Sequence, residues 1–366
     1  STANSNAFAS TSGATFNNSY AKTTVEMKNI DTYLDHVKMG YYWDFVIETD
    51  NGSNDYWDID NANGTINGGY PFLAWQNGSA IAYDPYMAVE PSNYVASASC
   101  TNAPCEIATL ENIRWLSENS NEWDSTKQYV QSSNIDASYT SILNGGEGWI
   151  PIGNSTDKFE GSYDGQDYNI TNLFINRPTE DNIGFFGYVN GDSNTTIIEN
   201  LNITDANITG QIYTGVLAGY LHSTSVNNVH VSGNIASTDN YIGGLAGLAH
   251  GKNDSDIQKI SNSSSNVLVK ALSGQSIVGG FIGDASDYVE IENSYALGDV
   301  IASGAQVGGF VGRLYSKIST SFASGDITGS ANSVGGFVGD VIGNSHKPNY
   351  KAIIANSYST GDVNGT

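Results

Sequence analysis

Three aspartates, Asp299, Asp326 and Asp362, each follow a glycine at the end of a similar phrase, 27 and 36 residues apart. Carboxylates that recur in this way are raw material for two chemistries. A glycosidase needs two carboxyl groups about 5–9.5 Å apart, and calcium needs several oxygens around one ion. A third reading outweighs both. An acid–base pair needs two environments that separate its pKa values, whereas carboxylates at equivalent turns share one environment, and Gly-Asp is a turn former. The aspartates are therefore expected to shape turns, and no catalytic residue is expected. Bound calcium stays open on the acidity alone, because neither an EF-hand loop nor the nonapeptide Gly-Gly-x-Gly-x-Asp pattern occurs. The five histidines, His36, His222, His230, His250 and His346, show no metal-ligand spacing. No nucleophile elbow, P-loop or dinucleotide loop appears, so no cofactor is expected.

Two further groups of reactive or binding residues lie towards the N-terminus. Cys100 and Cys105 enclose four residues including Pro104. A metal site would need more ligands nearby, so a local disulfide is expected, which implies an oxidising compartment; two free buried thiols are the alternative. Between Ala21 and Gln76 the chain is aromatic: Tyr41, Tyr42, Trp43, Phe45, Tyr56, Trp57, Tyr70, Phe72 and Trp75. Aromatic rings beside Asp can stack on sugars. The plainer reading is a small β-cap over the end of a larger fold.

The elements that position these residues are repeats. One phrase occurs as Val278–Gly283, Val307–Gly312 and Val334–Gly339, with looser copies ending at Gly187, Gly219 and Gly247. The closing glycines at 187, 219, 247, 283, 312 and 339 are separated by 32, 28, 36, 29 and 27 residues. A period near thirty with glycine-rich turns marks a repeat architecture. Each copy is answered by a β-branched and aromatic phrase such as Ile291–Val300, Ile318–Ile327 and Ile354–Val363, which reads as strand then turn. One such unit buries almost nothing, but stacked units pair strand on strand at about 4.8 Å per coil. The expected fold is all-β, a parallel β-solenoid of 27–36-residue coils. Asn200, Asn228, Asn262, Asn293 and Asn356 hold one equivalent position, with Thr320 the exception. They are expected to form an interior amide column, beside an aromatic column of Tyr295, Phe322 and Tyr358. His230 falls at the position of Tyr295.

The Gly-Gly-Phe-Val-Gly and Asn-Ser-Tyr-x-x-Gly-Asp-Val phrases resemble the GLUG motif, a repeat of extracellular proteins of bacteria and archaea. Trp149–Gly153 with Phe159–Pro178 resembles the segment that enters such arrays. Lys22–Lys28 and Tyr41–Gln76 resemble the segment that usually closes one, yet here it comes first. The resemblance implies a cell-surface or secreted solenoid and no particular activity; tubular archaeal sheaths are one setting that fits.

The expected division is an assembly segment and aromatic cap over 1–76, a connector over 77–147 with the disulfide and one helix near 107–120, and the solenoid over 148–366. Thr109 can cap that helix, whose stripe is Leu110, Ile113, Trp115 and Leu116. Tyr129–Ala137 reads as a strand, and Trp149–Phe174 as paired strands around a Tyr163–Gly165 turn. Lys+Arg 14 against Asp+Glu 38 gives a net charge of −24, which excludes nucleic acid as a partner and disfavours anionic lipid. No apolar run is long enough to insert in a membrane. The chain opens Ser-Thr-Ala-Asn, as a processed secreted protein would. Sequons begin at Asn17, Asn51, Asn63, Asn77, Asn154, Asn169, Asn194, Asn202, Asn207, Asn253, Asn262 and Asn364, and favour an extracellular glycoprotein, with Asn202 and Asn207 the most attractive acceptors. The expected function is an extracellular structural protein polymerising head-to-tail with itself into a filament, sheath or layer. A surface adhesin that binds glycan is the alternative, and a glycan-cleaving solenoid enzyme the third.

Overall fold

The computed structural model describes residues 57–58, 72–73 and 88–365, apart from 95–99, 102, 192–195, 273, 275–276, 304–305, 331 and 344–350. The chain divides into two compact units, 1–86 and 87–366. In the first, Trp57–Asp58 pairs antiparallel with Phe72–Leu73. The rest of the expected aromatic cap lies outside the described residues, as do Asn17, Asn51, Asn63, Asn77 and Asn194.

The second unit is a parallel β-solenoid of about seven turns. Each full coil passes through three sheets. A corner sheet contains Ile242–Gly243, Ile277–Gly279, Gln306–Gly308 and Ser333–Gly335. A narrow sheet contains Phe186–Asn190, Ala218–His222, Ala246–His250, Ile282–Ala285, Val311–Leu314 and Val338–Val341. A broad sheet runs from Cys105–Ile107 to Val363–Gly365. The narrow-sheet register Phe186, Ala218, Ala246, Ile282, Val311, Val338 advances by 32, 28, 36, 29 and 27 residues. Those are the steps between the closing glycines.

The glycines keep that register because backbones cross in contact. A Cβ on Gly325 would lie 2.0 Å from the Gly298 carbonyl oxygen, and one on Gly309 would lie 2.3 Å from that of Gly336. Any side chain there would push the coils apart. The phenylalanine of the same phrase fills the bore. Phe281, Phe310 and Phe337 stack at 4.8 and 4.9 Å, and the first two are wholly buried. At about 25 cal/mol per Å2 of apolar surface, each buried ring contributes a few kcal/mol that a lone repeat could not gain.

A helix, Leu110–Glu118, lies between the broad-sheet strands Cys105–Ile107 and Gln128–Gln131. Thr109 caps it, its hydroxyl accepting the Asn112 N–H at 3.4 Å, while Leu110, Ile113, Trp115 and Leu116 are buried. Three expectations need correcting. Parallel strands at Cys105–Ile107 and Gln128–Gln131 already belong to the broad sheet, so the solenoid starts well before residue 148, inside the expected connector. The expected strand at Tyr129–Ala137 is split into Gln128–Gln131 and Ile135–Asp136. Nor do Ser162–Asp164 and its neighbours form a hairpin around Tyr163–Gly165. Ser162–Asp164 pairs parallel with Gln128–Gln131 on one side and with Ile197–Gly210 on the other. Its apolar partners lie one coil away, which outweighs a local turn.

Candidate functional site

The repeated polar positions resolve into columns along the broad sheet. Asn200, Asn228, Asn262, Asn293, Thr320 and Asn356 all adopt left-handed backbone, with φ between 49° and 54°. Each marks a bend in its strand, and Asn tolerates this conformation better than other side chains do. The bend turns the side chain outward. Asn200 and Asn228 are half-buried, and Asn262, Asn293 and Asn356 are exposed, so the expected interior amide column is not there. Partial amide contacts survive at the surface: Asn228 Nδ2 donates to Asn200 Oδ1 at 2.9 Å, and Asn262 Nδ2 to Asn227 Oδ1 at 2.8 Å.

The interior polar ladder is one residue further on. Ser263, Ser294 and Ser321 are buried. Each of these hydroxyls, and that of Ser357, donates to the carbonyl two residues back, at 2.7–2.8 Å. Each also accepts an N–H from the preceding coil: Val229, Ser263, Ser294 and Ser321 donate in turn at 3.1–3.2 Å. The bend strips those amides of a carbonyl partner, and the serine supplies one. The phrase Asn-Ser-Tyr held this signal in its second letter.

The other columns are external. Tyr295, Phe322 and Tyr358 stack at 5.1 and 5.3 Å, with Tyr358 57% exposed. His230 precedes them in register through Ser264. The aspartates form a turn ladder, Asp326 N–H donating to Asp299 Oδ1 and Asp362 N–H to Asp326 Oδ1, both at 2.9 Å. Their oxygens serve the next coil's backbone, as turn formers do. No group of three or more His, Cys, Asp or Glu placed to hold a metal occurs among the described residues. Cys100 and Cys105 form a disulfide and are buried.

On the narrow sheet Tyr188 stacks on Tyr220 at 4.4 Å, and where the coil enters the corner sheet Tyr213 stacks on Tyr241 at 4.9 Å. Lys158 Nζ lies 5.0 Å from the Tyr188 ring, and the Arg313 guanidinium 5.6 Å from that of Tyr241. Rings whose faces meet one another and two cations offer sugars only their edges. Arg313 Nε also donates to Asp284 at 3.0 Å. Burial pushes the Asp284 carboxyl up to about 6, against the opposing pull of Arg313. Sequence reasoning missed this cluster because its members come from different coils.

A cleft of about 410 Å3 is lined by Pro104, Gln128, Val130, Asp164, Gln166 and Glu199, among others. Asp164 and Glu199 face each other on neighbouring strands. Burial first, then the charge of Asp164, raises the Glu199 carboxyl. Asp164 Oδ1 accepts from Gln166 N–H at 2.9 Å and Asn200 Nδ2 at 3.0 Å, and its Oδ2 from Gln166 Nε2. The pair has the two environments that hydrolysis needs, but Asp164 has both oxygens occupied and is a poor nucleophile. Such walls suit holding hydroxyl groups better than cleaving between them.

The sequons divide by setting. Asn169, Asn202, Asn207 and Asn364 lie within broad-sheet strands, Asn262 at a bend, and Asn154 and Asn253 in exposed loops.

Residues 303–328, which span one coil from corner sheet to turn, match the family model described as the GLUG motif. The chain carries a GLUG motif. By register, the coils before and after it are built on the same plan. A stretch of 122 residues, 32% of the chain, is 34% identical to halomucin of Haloquadratum walsbyi, and 65 residues are 42% identical to a protein of Evansella cellulosilytica provisionally named a Gly-rich membrane protein. The chain spans 1% of the first relative and 7% of the second. A crystal structure from Bacteroides ovatus, provisionally described as an immunoglobulin A1 protease, superposes with a TM-score of 0.55 at 23% identity, covering 70% of this chain and 75% of that one. That likeness concerns the fold alone. Among the described residues no helix is long and apolar enough to cross a membrane.

Proposed function

We propose that this GLUG solenoid is a non-catalytic structural element of an extracellular surface, and that it joins head-to-tail to further copies of itself. The disulfide supports the compartment. The observation that carries the assembly is the like-on-like stacking of the coils: Ile291 lies on Ile318 and Ile318 on Ile354, Tyr295 on Phe322 and Phe322 on Tyr358. A strand bearing the same phrase in another copy can pair in that register. The occupant in this reading is the stretch Phe16–Met27 of a second copy, whose Asn-Asn-Ser-Tyr repeats the Ala-Asn-Ser-Tyr of Ala355–Tyr358. Residues 1–28 carry two Lys and one Glu, a net +1 in a chain of −24, so charge also favours the contact. Such a contact is heterologous and propagates unless it closes a ring.

Negative-stain microscopy and light scattering on the full chain and on a variant lacking residues 1–28 test this. The full chain is expected to form regular polymers, and the truncated one to stay monomeric with unchanged melting. Polymers of the same form after truncation refute the contact. A monodisperse full chain refutes assembly and favours a second reading, saccharide binding in the cleft beside Asp164 and Glu199.

A further inference from the structure

We infer that the solenoid is glycosylated on its narrow-sheet side, through Asn154 and Asn253, and that the broad-sheet sequons stay bare; this rests on the extracellular reading above. N-linked transfer makes the Asn amide nitrogen the nucleophile. Nδ2 bonds to the anomeric carbon of a sugar carried on a polyprenyl phosphate, the carbon–oxygen bond to phosphate breaks, and the amide proton leaves with the released phosphate. The acceptor therefore needs an Nδ2 not already committed, on a loop that can enter an enzyme.

The described sequons differ on both counts. Asn202 Nδ2 donates to the Asp167 carbonyl at 2.9 Å, Asn262 Nδ2 to Asn227 Oδ1 at 2.8 Å, and Asn169 Nδ2 to Asn134 Oδ1 at 3.4 Å. Asn207 is exposed, but it lies inside Ile197–Gly210, a strand paired on both sides. A strand held there cannot bend the acceptor towards its Thr209. This reverses the preference for Asn202 and Asn207 that the sequence alone gives.

Asn154 and Asn253 share another design. Asn154 Oδ1 accepts from Thr156 N–H at 2.8 Å and Asp157 N–H at 2.9 Å, and Asn253 Oδ1 accepts from Ser255 N–H at 2.8 Å. Each turn draws the Asn side chain towards the hydroxyl residue of its own sequon, and the described side-chain contacts engage only the amide oxygen. Backbone bonds close both turns, Asn154 N–H to Asp157 O at 2.7 Å and Asp256 N–H to Asn253 O at 3.0 Å. Residues 154–157 and 252–255 are exposed. The first loop leaves beside the narrow-sheet strand Phe186–Asn190, between the bridges at Ile152 and Phe159. The second follows the narrow-sheet strand Ala246–His250. Neither interrupts the broad sheet, so its aromatic column stays uncovered.

Glycopeptide mass spectrometry on the full chain from the cells that make it, with intact mass before and after reduction, is the test. Sugar is expected on the peptides bearing Asn154 and Asn253. Thr156→Ala and Ser255→Ala, which keep each Asn, should each remove one glycan mass without shifting the melting temperature. Occupancy at Asn169, Asn202, Asn207 and Asn262 should be under about a tenth of that at the loops. Sugar on those four with the loops bare overturns the inference. No sugar anywhere, with Cys100 and Cys105 bonded, overturns it and leaves the extracellular reading standing; no sugar and free thiols overturn both.

Discussion

Between Cys105 and Asn176 rungs of the broad sheet carry unlike side chains, such as Glu106, Val130 and Asp164 at one register position. Between Val289 and Gly365 like lies on like: Ile291, Ile318 and Ile354; Ala296 and Ala323; Val300, Ile327 and Val363. The first region packs as an ordinary core does, with Trp149, Phe159, Tyr163, Phe185 and Phe186 interlocked at varied angles. The second fits only because each coil repeats its neighbour. Close backbone contact restricts both regions, as Gly165 and Gly325 show, but only in the second does it go with like side chains stacked on like.

The sharpest way to break this contrast is to add one methyl group in each region. On Gly325 it meets a carbonyl oxygen at 2.0 Å; on Gly161 the nearest atom, the Lys127 oxygen, is at 3.0 Å. Gly325→Ala should cost about 4 kcal/mol or more and Gly161→Ala about 1, read from denaturant midpoints. Equal costs would mean that the array is no more tightly constrained than its lead-in.

A smaller effect probes the array's buried charge. The folded chain keeps the Asp284 proton up to about pH 6, while the ordinary value is 3.8. Between those values the folded state binds more protons, so stability falls as pH rises through this window. The loss is on the order of 3 kcal/mol. Asp284→Asn should flatten the slope of melting temperature against pH between 4 and 6, and an unchanged slope would assign it elsewhere.

The smallest effect separates two accounts of the Asn column. If left-handed backbone is the reason for Asn293, Asn293→Leu costs about 1 kcal/mol and Asn293→Gly nothing. If the amide itself holds the stack, both substitutions cost the same. Chemical denaturation of the two variants decides.

Much of the array was legible in the sequence, because the glycines that space the phrases are also the backbone contacts that fix the register. The helix at Leu110 and the disulfide were legible for local reasons, a cap with a stripe and a short Cys spacing. The orientation of the Asn column was not, since nothing in Asn-Ser-Tyr says that the first residue has positive φ and so puts the second inside. That the strands at Cys105–Ile107 and Gln128–Gln131 belong to the solenoid was hidden too: with no copies elsewhere, they do not look like repeats. Asp284 and Arg313 occupy one register position 29 residues apart, and their pairing emerges only once coils are stacked.

The hydrogen bonds that join coil to coil run along the axis of the stack, which gives the array a mechanical character. Tension along that axis pulls those bonds lengthwise, and an end coil can let go while the rest hold. The coil between Val311 and Val338 stores 27 residues, roughly 90 Å of extended chain. A surface built from such units would lengthen under shear in discrete steps, one coil at a time, and each step would absorb work that otherwise falls on its anchor.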